Sequence, residues 1–293
     1  MLVAHRRTYL VPLPNGGVLA LGERVLVMGI VNVTPDSFAE SGPRTDASEA
    51  RRLARRMEEE GADLIDIGGE STRPGAEPVS ADQELARVLP VITGLAGHVR
   101  IPISIDTYKA VVARAAIEAG AAIVNDISGL RYDPDLASVV AERGAALVLM
   151  HTRGRPATMD AEAVYAATIA EVSAELQASV ACATAAGVPR DRVIVDPGIG
   201  FAKRPAHSYG VLAQLSDIAL ALDRPLLVGP SRKSFLREAL GDRPAADRDW
   251  GTAAAVTAAV LGGAHIVRVH AVAEMIQVVR VAEEIRRRMP HEE

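Results

Sequence analysis

Strand-like and helix-like segments alternate from Val25 to the end of the chain, and this rhythm constrains the fold more than any other feature. It begins with the apolar run VLVMGIVN, continues through a helix-like segment, and returns to a strand in DLIDIGGEST. About eight strand–helix units of the usual size fit into the chain. The pattern predicts an α/β fold, a parallel (β/α)₈ TIM barrel. The predicted strands end near Asn32, Gly68, Asp106, Asn125, Met150, Asp196, Gly229 and His270.

A short β-hairpin is predicted before the first repeat, in residues 8–22. Its sequence is TYLVPLPNGGVLALG, in which Asn15-Gly16 supplies the positive φ angles of a tight turn. We expect this hairpin to plug the barrel or to lead into it. The 293 residues are expected to form one domain, with the hairpin in 1–24, the barrel in 25–289 and a tail in 290–293.

A doubly wound open sheet is the main competing fold. Its dinucleotide-binding form needs a G-x-G-x-x-G motif after an early strand and a ribose-binding acid further on. Neither occurs at the required place in this sequence. The barrel is therefore the preferred prediction.

The composition narrows the classes of function. The formal net charge of −5 argues against a nucleic-acid partner, and the single cysteine, Cys182, excludes an intrachain disulfide framework. No stretch approaches the ~20 uninterrupted apolar residues of a membrane span, and the N-terminus lacks the apolar segment of a secretory signal. We therefore expect a cytoplasmic protein that acts on small molecules, with neither membrane nor nucleic acid as a partner.

Polar residues follow the predicted strands, and in such a barrel the carboxyl ends of the strands and the loops after them form the active site. The set combines amide and carboxylate groups with a second group of cations. Both kinds of side chain are expected to converge at one mouth of the barrel. The residues are Asn32, Thr72, Arg73, Asp106, Asn125, His151, Asp196, Ser231, Arg232, Lys233, Arg268 and His270.

Two cationic groupings suggest an anion site. Arg268 and His270 lie two residues apart on a strand, so they face the same side and could clamp an anion, or else reach solvent. The segment GPSRKS places backbone N–H groups, hydroxyls and cations where barrels often bind phosphate. Its Lys233 could alternatively be a Schiff-base amine.

Lysines are rare in this chain, and each follows a predicted strand. They are Lys109, Lys203 and Lys233, in a sequence that otherwise uses arginine for its basic residues. A compact ammonium group at such positions suggests contact with a ligand. All three are therefore candidate ligand contacts.

The acidic candidates each have a structural alternative. Asp196 ends the buried run Val193–Val195 and either caps the following turn or awaits a ligand with paired N–H groups. Asp106 could equally be a helix cap, and the same ambiguity applies to Asn125 and its neighbour Asp126. The sequence around these residues alone leaves both interpretations open.

Metal binding is expected to be limited. The chain has no H-E-x-x-H motif, no cysteine pair and no close histidine pair, which makes a structural zinc site improbable. A Mg²⁺ ion held mainly by the phosphates of a ligand would need few protein oxygens. Asn32 could supply one of them.

Eight short motifs occur in the order MGIVNVTPDSF, GGESTRPGA, SIDTYKA, NDISG, LMH, DPGIGFAK, GPSRKSF and RVHA. From residue 25 onward the chain thereby resembles the dihydropteroate synthases, a family of pterin-binding TIM-barrel enzymes. The resemblance implies a transferase of folate biosynthesis that joins 6-hydroxymethyl-7,8-dihydropterin pyrophosphate to 4-aminobenzoate and releases pyrophosphate. It also implies Mg²⁺, sulfonamide binding and a homodimer, for which the apolar face of the last two helices is the candidate interface.

The resemblance assigns roles to residues of this chain. It implies catalytic roles for Arg268, His270, Lys233, Asp106 and Asp196, with Mg²⁺ on Asn32. The dihydropterin pyrophosphate would contact Asn32, Thr72, Asp106, Asn125, Met150, Asp196, Lys233, Arg268 and His270. The 4-aminobenzoate slot would comprise Phe38, Arg73, Pro74, Phe201, Lys233 and Ser234.

Several positions depart from the family pattern. Ala271 replaces the aspartate that commonly follows RVH, Pro230 precedes the SRK triplet, Ile199 replaces a phenylalanine, and Ala202 replaces a glycine. The change at Ala271 puts the orientation of His270 in question. Two other functions remain open: a methyltetrahydrofolate-binding methyltransferase of the same superfamily, and a non-catalytic pterin-binding paralogue.

The expected mechanism divides the pocket into two ends. At one end Mg²⁺, Arg268 and a cationic His270 would stabilise the departing pyrophosphate. At the other end Asp106 and Asp196, both ionised, would favour the positive charge that spreads over the dihydropterin ring. The glycines at 198 and 200 are expected to let the backbone approach that ring.

Overall fold

Parallel strands and helices alternate along the chain as predicted. The structure, a computed structural model, describes residues 6–34, 43–73 and 75–290. The strands are β1 Tyr9–Pro12, β2 Val18–Leu21, β3 Leu26–Asn32, β4 Leu64–Gly68, β5 Ile103–Asp106, β6 Ile123–Asp126, β7 Ala146–Met150, β8 Val193–Asp196, β9 Leu227–Val228 and β10 Ile266–Val269. The helices are α1 Pro43–Glu59, α2 Ala81–Leu95, α3 Ala110–Glu118, α4 Leu136–Arg143, α5 Thr168–Ala185, α6 Pro205–Ala213, α7 Leu215–Leu222, α8 Arg237–Leu240, α9 Asp249–Leu261 and α10 Val272–Arg288.

The parallel sheet closes on itself. Its strand order is β8-β7-β6-β5-β4-β3-β10-β9. The two end strands meet through a parallel bridge between Val195 and Leu226, next to a 2.9 Å hydrogen bond from Val195 N to Pro225 O. The β-branched and leucine-rich strands are buried on both faces, as closure with outer helices requires. The fold is a TIM barrel, and the open doubly wound sheet is excluded.

The N-terminal hairpin covers one opening of the barrel. Strands β1 and β2 pair antiparallel, and their buried side chains, such as Val11 and Leu21, pack against interior residues such as Met28 and Leu64. The connection is a 3-10 turn, Pro14–Gly16, and only its last residue needs the left-handed conformation, with φ 81°. The predicted pair of positive φ angles at Asn15-Gly16 is therefore wrong for Asn15, because Pro14 begins a helical turn instead of extending the strand.

The strand register brings the predicted polar residues to one level at the opposite opening. Asn32 pairs with Gly68, Gly68 with Asp106, and Asp106 with Asn125 across three neighbouring strand pairs. On the far side Met150 pairs with Asp196. The carboxyl ends of the strands therefore form one mouth, as expected for this fold. Within the described ranges, no helix is long and apolar enough to span a bilayer.

Candidate active site

Arg268 lies at the centre of a buried polar cluster. From β10 its Nε donates to Asp66 Oδ2 at 2.6 Å, and its Nη2 donates to Asp106 Oδ2 at 2.7 Å. Asn125 donates from Nδ2 to the same Asp66 oxygen at 2.8 Å. The barrel thus brings side chains from β4, β5, β6 and β10 together, although they are far apart in the sequence.

Burial and charge act against each other in this cluster. Burial alone would lower the pKa of Arg268, but the charges of Asp66 and Asp106 outweigh it and raise that pKa. For Asp106 burial is the stronger effect and raises its pKa to about 7, even though Arg268 stabilises the ionised form. Burial thus raises the pKa of Asp106 towards neutral pH, while the ion pair with Arg268 favours the ionised form expected from the sequence.

Asp196 combines the two roles that the sequence left open. It ends β8, and its Oδ1 accepts a 2.7 Å hydrogen bond from Gly198 N, which is turn chemistry. No residue in the described part of the chain donates a hydrogen bond to its Oδ2. Burial raises the pKa of Asp196, and the nearby Lys233 ammonium opposes that shift. The second carboxylate oxygen is thus available to a ligand.

Lys233 approaches the pocket from the loop after β9. Its Nζ donates to Ile199 O at 2.6 Å and lies 4.4 Å from the centre of the Phe201 ring. Burial lowers the pKa of Lys233 to about 8, while the charge of Asp196 acts in the opposite direction. Lys233 therefore remains mostly protonated at neutral pH and lies between an acid and an aromatic face.

The two glycines after Asp196 make room for the protein itself. A methyl group added at Gly198 would lie 1.9 Å from the carbonyl oxygen of His151, and one at Gly200 would lie 3.1 Å from Lys233 Cδ. Both residues also have positive φ, 68° and 77°. The lack of a side chain at both positions allows the loop to pack on β7 and on Lys233, and the approach of this backbone to a ligand ring stays a prediction.

An apolar wall borders Asp196 and Lys233. Met150 and Phe201 belong to a cluster of buried side chains that also contains Tyr108, Ile127, Met159 and Ala202. Met150 is 4% exposed and Phe201 9% exposed. The predicted contacts of Met150 with one substrate and of Phe201 with the other stay predictions.

His270 is oriented by Ser231 and is uncharged. Its Nδ1 lies 2.9 Å from Ser231 Oγ, and its backbone N donates to the same oxygen at 3.2 Å. Burial, followed by the charges of Arg232, Arg268 and Arg73, lowers the pKa of His270 to about 3. The predicted pair of cations is therefore wrong, because only Arg268 carries charge. Ser231 provides the support that the change at Ala271 put in question.

Arg232 bonds to two residues of helix α9. Its guanidinium makes a bidentate ion pair with Asp249, with both N–O distances at 2.7 Å, and its backbone N donates to Thr252 Oγ1 at 3.0 Å. Asp249 and Thr252 belong to α9, which follows 17 residues or more later in the chain. Arg232 thus contributes positive potential at His270 rather than a free ligand contact.

Asn32, Thr72 and Ser234 lie around the same mouth. A methyl group at Gly68 would lie 3.8 Å from Asn32 Oδ1 and 3.5 Å from Asp106 Oδ2, which places the Asn32 amide beside the Arg268 cluster. Thr72 is partly buried after β4, and Ser234 is exposed at the start of a 3-10 turn. Arg73 is exposed next to Thr72. The remaining predicted slot residues, Phe38 and Pro74, lie outside the described residues.

Two lysines predicted as ligand contacts have protein partners. Lys109 bridges the carboxylates of Glu70 and Glu84, so the ligand role predicted for it is wrong. Lys203 is buried against His151, with Nζ 2.8 Å from His151 Nδ1. Both acids that hold Lys109 lie in other elements, and the strand-end pattern gave no indication of them.

Two further aspartates lie near the site, Asp126 at the end of β6 and Asp66 within β4. Asp126 accepts hydrogen bonds from Ser128 N at 2.7 Å and Leu130 N at 2.6 Å, so it stabilises the loop while Asn125 faces the cluster. Asp66 was not predicted as a site residue. It is fully buried within β4, and the signal for it was a carboxylate inside the apolar run LIDIG.

Among the described side chains, no three from histidine, cysteine, aspartate and glutamate are placed to hold a metal ion. The oxygen of Asn32 is a neutral amide donor of the kind that Mg²⁺ accepts. A Mg²⁺ ion in this mouth would therefore take most of its ligands from phosphate oxygens and water. The donor set fits such an ion and does not form a closed protein site.

Comparisons with known proteins show what the whole chain is similar to. A family model described as pterin binding enzyme matches residues 28–270. Dihydropteroate synthase from Synechocystis sp. is 47% identical over 273 residues, covering 93% of this chain and 94% of the relative. The structure of Yersinia pestis dihydropteroate synthase with a sulfonamide drug complex is 40% identical with TM-score 0.87, covering 94% and 98% of the two chains. Xanthomonas albilineans dihydropteroate synthase with 4-aminobenzoic acid is also 40% identical with TM-score 0.87, covering 96% and 100%.

Proposed function

Because the chain belongs to the pterin binding enzymes and, among them, to the dihydropteroate synthases, we propose that the cluster around Arg268 is its catalytic centre. The reaction joins 6-hydroxymethyl-7,8-dihydropterin pyrophosphate to 4-aminobenzoate, forms 7,8-dihydropteroate and releases pyrophosphate. One observation carries the assignment of the site. Arg268 connects an acidic end, with Asp106 and Asp196, to an end where several guanidinium groups act on His270.

The acidic end suits the pterin ring. A pterin edge offers a ring N–H beside an amino group, and a carboxylate can accept both. Asp196 has one oxygen without a protein donor in the described chain, and its neighbours Met150 and Phe201 provide an apolar surface for the flat ring. Asp106 and Asn125 contact the pterin from the adjoining strands in this proposal.

The arginine end suits the pyrophosphate. After burial, the charges of Arg232, Arg268 and Arg73 lower the pKa of His270, so the place occupied by its imidazole has positive potential. A neutral imidazole donates one hydrogen bond without adding charge. Asn32 and Thr72 supply further polar groups at the same mouth. Developing negative charge on the leaving group is therefore stabilised by Arg268, by Arg73 and by a hydrogen bond from His270.

Asn32 is the protein ligand that we propose for Mg²⁺. Its amide oxygen is placed beside Asp106 at the mouth, where the phosphate groups of the substrate would approach. When bound, the ion neutralises part of the charge on the pyrophosphate. Asn32 orients the phosphate end of the substrate, and Arg268 and Arg73 bind it directly.

The pocket favours positive charge on the dihydropterin. Three buried carboxyl groups, Asp66, Asp106 and Asp196, face two cations, Arg268 and Lys233. As the C–O bond to pyrophosphate breaks, positive charge grows on the ring, which draws Asp106 towards its ionised form. The amine nitrogen of 4-aminobenzoate then forms the new C–N bond. The proton that this nitrogen loses passes to water or to the departing pyrophosphate.

The 4-aminobenzoate slot is proposed beside Phe201 and Lys233. The Lys233 ammonium lies over the Phe201 ring, so the pair presents an aromatic face and a cation suited to an aromatic carboxylate. Ser234 and Arg73 extend this slot on the exposed side, and the predicted contribution of Phe38 and Pro74 completes it. Because relatives bind 4-aminobenzoic acid and a sulfonamide drug, we expect 4-aminobenzenesulfonamides to compete for this slot.

A homodimer through the last two helices is part of the proposal. Trp250 at the start of α9 is 89% exposed, and Val281 and Ile285 on α10 are 61% and 47% exposed. Large apolar side chains that are this exposed are typical of a protein interface. Equilibrium sedimentation would show a dimer.

The cytoplasmic location expected from the sequence stays a prediction.

A coupled assay for pyrophosphate release tests the function. We expect release only when dihydropterin pyrophosphate and 4-aminobenzoate are both present, together with one 7,8-dihydropteroate per pyrophosphate. A methyltetrahydrofolate-binding methyltransferase would release none and would instead transfer a methyl group. A non-catalytic paralogue would bind a pterin in calorimetry without any turnover. Either result would overturn the proposed function.

A further inference from the structure

Lys203 is a buried amine that the proposed chemistry does not use, and burial lowers its pKa to about 7 although the charge of Asp196 opposes that shift. It lies between β8 and α6 and is 7% exposed. Its Nζ is 2.8 Å from His151 Nδ1, 3.2 Å from Phe201 O and 3.5 Å from His151 O. An ammonium group has three N–H donors, and here each has an acceptor. Lysine is almost never fully buried without partners, so these three contacts offset the cost of burying Lys203.

The contact continues through His151 to helix α5. His151 Nε2 lies 3.2 Å from Glu175 Oε2, which can only accept, so the proton of the neutral ring is on Nε2 and Nδ1 accepts from Lys203. Glu175 is in turn held by Arg131 at 2.9 Å and by Arg153 Nε at 2.9 Å. Burial, followed by the charge of Lys203, lowers the pKa of His151 to about 4, which keeps the ring neutral.

These contacts fix one loop at several points. The backbone N of His151 donates to Asp196 O at 2.9 Å, and Gly198 packs closely on the carbonyl of His151. Lys203 then holds the carbonyl of Phe201, the residue whose ring lies under the Lys233 ammonium. Asp196 is independently fixed by its place in β8, whereas Phe201 lies beyond the strand, where its N donates to Gly198 O at 3.1 Å and its carbonyl accepts from Lys203.

We propose that Lys203 is a positioning residue for the second substrate: held by His151, which Glu175 orients, it binds the carbonyl of Phe201, fixes that residue against Lys233, and so shapes the surface that receives 4-aminobenzoate. This rests on the proposed function for the identity of that substrate. Lys203 itself contacts protein groups and does not take part in bond formation. Its loss therefore affects binding of 4-aminobenzoate more than binding of the pterin.

Lys203→Met tests this, because methionine has nearly the same length and no donors. The KM for 4-aminobenzoate is expected to rise about tenfold, the cost of about one hydrogen bond to a charged group. The KM for dihydropterin pyrophosphate is expected to stay within about twofold of the wild type. The control is Arg204→Met, which removes an exposed cation from the next position and should leave both values unchanged. Equal changes in both KM values, or none, would overturn the proposal.

Glu175→Gln provides a second test if Lys203→Met does not fold. Glu175 is partly exposed on α5, and the substitution removes the charge that fixes the His151 tautomer. We expect the same selective rise in the KM for 4-aminobenzoate, of about two- to threefold. An unchanged KM in this variant would contradict the proposed chain from α5 to Phe201.

Nitrogen NMR separates this inference from the function itself. Wild-type His151 should show a neutral ring with the proton on Nε2 throughout the range from about pH 5 to 8. If this tautomer is observed but the wild type makes no dihydropteroate, the proposed function fails and the contact between Lys203 and His151 stands. If the wild type makes dihydropteroate but His151 carries its proton on Nδ1, the positioning role of Lys203 is overturned.

Discussion

His270 shows how its surroundings set the charge of a single residue. A free histidine titrates near 6.5, but burial and three guanidinium groups bring the pKa of His270 to about 3. The same positive potential that removes charge from the imidazole is available to a bound pyrophosphate. His270 is thus a hydrogen-bond donor at an anion site whose charge comes from arginine.

NMR titration of His270 checks this statement directly. We expect no protonation of this ring between about pH 4.5 and 8, since its neutral form is favoured by burial and by nearby cations. Its resonance can be assigned by its absence from the spectrum of His270→Gln. A midpoint close to 6.5 would contradict the proposed charge distribution.

Arg268→Ala should weaken binding of both the pterin and pyrophosphate. The Arg268 guanidinium lies between the acidic end and the pyrophosphate end of the pocket. Its removal leaves Asp66 and Asp106 buried without their cation. The pKa of Asp106 should rise further above about 7, and the folded state should lose about 3 kcal/mol. Calorimetry with each ligand and urea unfolding measure these effects. Arg55→Ala, an exposed change on α1, is the control; an effect on 4-aminobenzoate alone would contradict the role of Arg268.

Sequence position predicted many residues of the cluster, because parallel strands end at one mouth of a barrel. Asp106, Asn125, Asp196 and Arg268 all lie there. Asp66 escaped prediction because it lies inside an apolar strand, where the usual expectation is a hydrophobic residue. The charge of His270 could not be predicted from the sequence either, because burial and guanidinium groups from other parts of the chain lower its pKa.

At the scale of elements, the loop after β8 depends on close backbone packing. Gly198 has φ 68°, and a side chain there would meet the carbonyl of His151 at 1.9 Å. Gly210 in the following helix α6 has open space around it, with nothing within 4 Å of an added methyl group. These two glycines form a matched pair for substitution.

Gly198→Ala should destabilise the fold by at least about 2 kcal/mol, because the methyl group meets backbone and the residue is left-handed. Gly210→Ala should stabilise it by about 0.5–1 kcal/mol, since alanine favours a helix. Thermal unfolding of both variants makes the comparison. Similar stabilities would show that β7 and this loop are not packed as described.

The hairpin is attached to the barrel by an uncharged histidine. His265 Nδ1 lies 3.1 Å from Leu226 N, and its Nε2 lies 3.0 Å from Arg7 O. The first contact needs a bare Nδ1 and the second a protonated Nε2, which defines a neutral ring. Burial lowers the pKa of His265 to about 4, so folding favours the neutral form.

The sign of the resulting pH dependence follows from that shift. The stability that His265 contributes is complete above its unfolded pKa of about 6.5 and is lost as pH falls towards about 4. Between pH 7 and pH 5 the wild type should therefore lose about 2 kcal/mol more than His265→Gln, which cannot titrate. Urea unfolding at the two pH values measures the difference. An equal loss in both proteins would contradict the assignment.

The elements were largely predictable, and their connections less so. Hydrophobic runs placed the barrel strands, because strands buried on both faces leave a clear apolar signal. The hairpin turn was predicted with positive φ angles at Asn15-Gly16, whereas Pro14 begins a 3-10 turn in which Gly16 alone of the two has a positive φ. Local turn chemistry competes with strand pairing, and the sequence motif alone does not reveal which one prevails.

At the scale of the whole molecule, the barrel places the proposed pterin contacts and the proposed pyrophosphate contacts on opposite sides of one mouth. Asp196 and Lys233 approach from β8 and the loop after β9, whereas Asn32 and Thr72 approach from β3 and the loop after β4. Arg268 on β10 lies between them and contacts the acids of β4 and β5. The sequence predicted this convergence through the fold class, but ion pairs such as Arg232 with Asp249 required the structure.

Titration of Asp196→Asn with two ligands tests this division most directly. The proposal predicts that a pterin binds at least about tenfold more weakly, because the charged acceptor is lost, while inorganic pyrophosphate binds as it does to the wild type. Asp191→Asn, an exposed change before β8, is the control and should bind both ligands normally. Wild-type affinity of Asp196→Asn for the pterin, or an equal loss for both ligands, would contradict the proposed site.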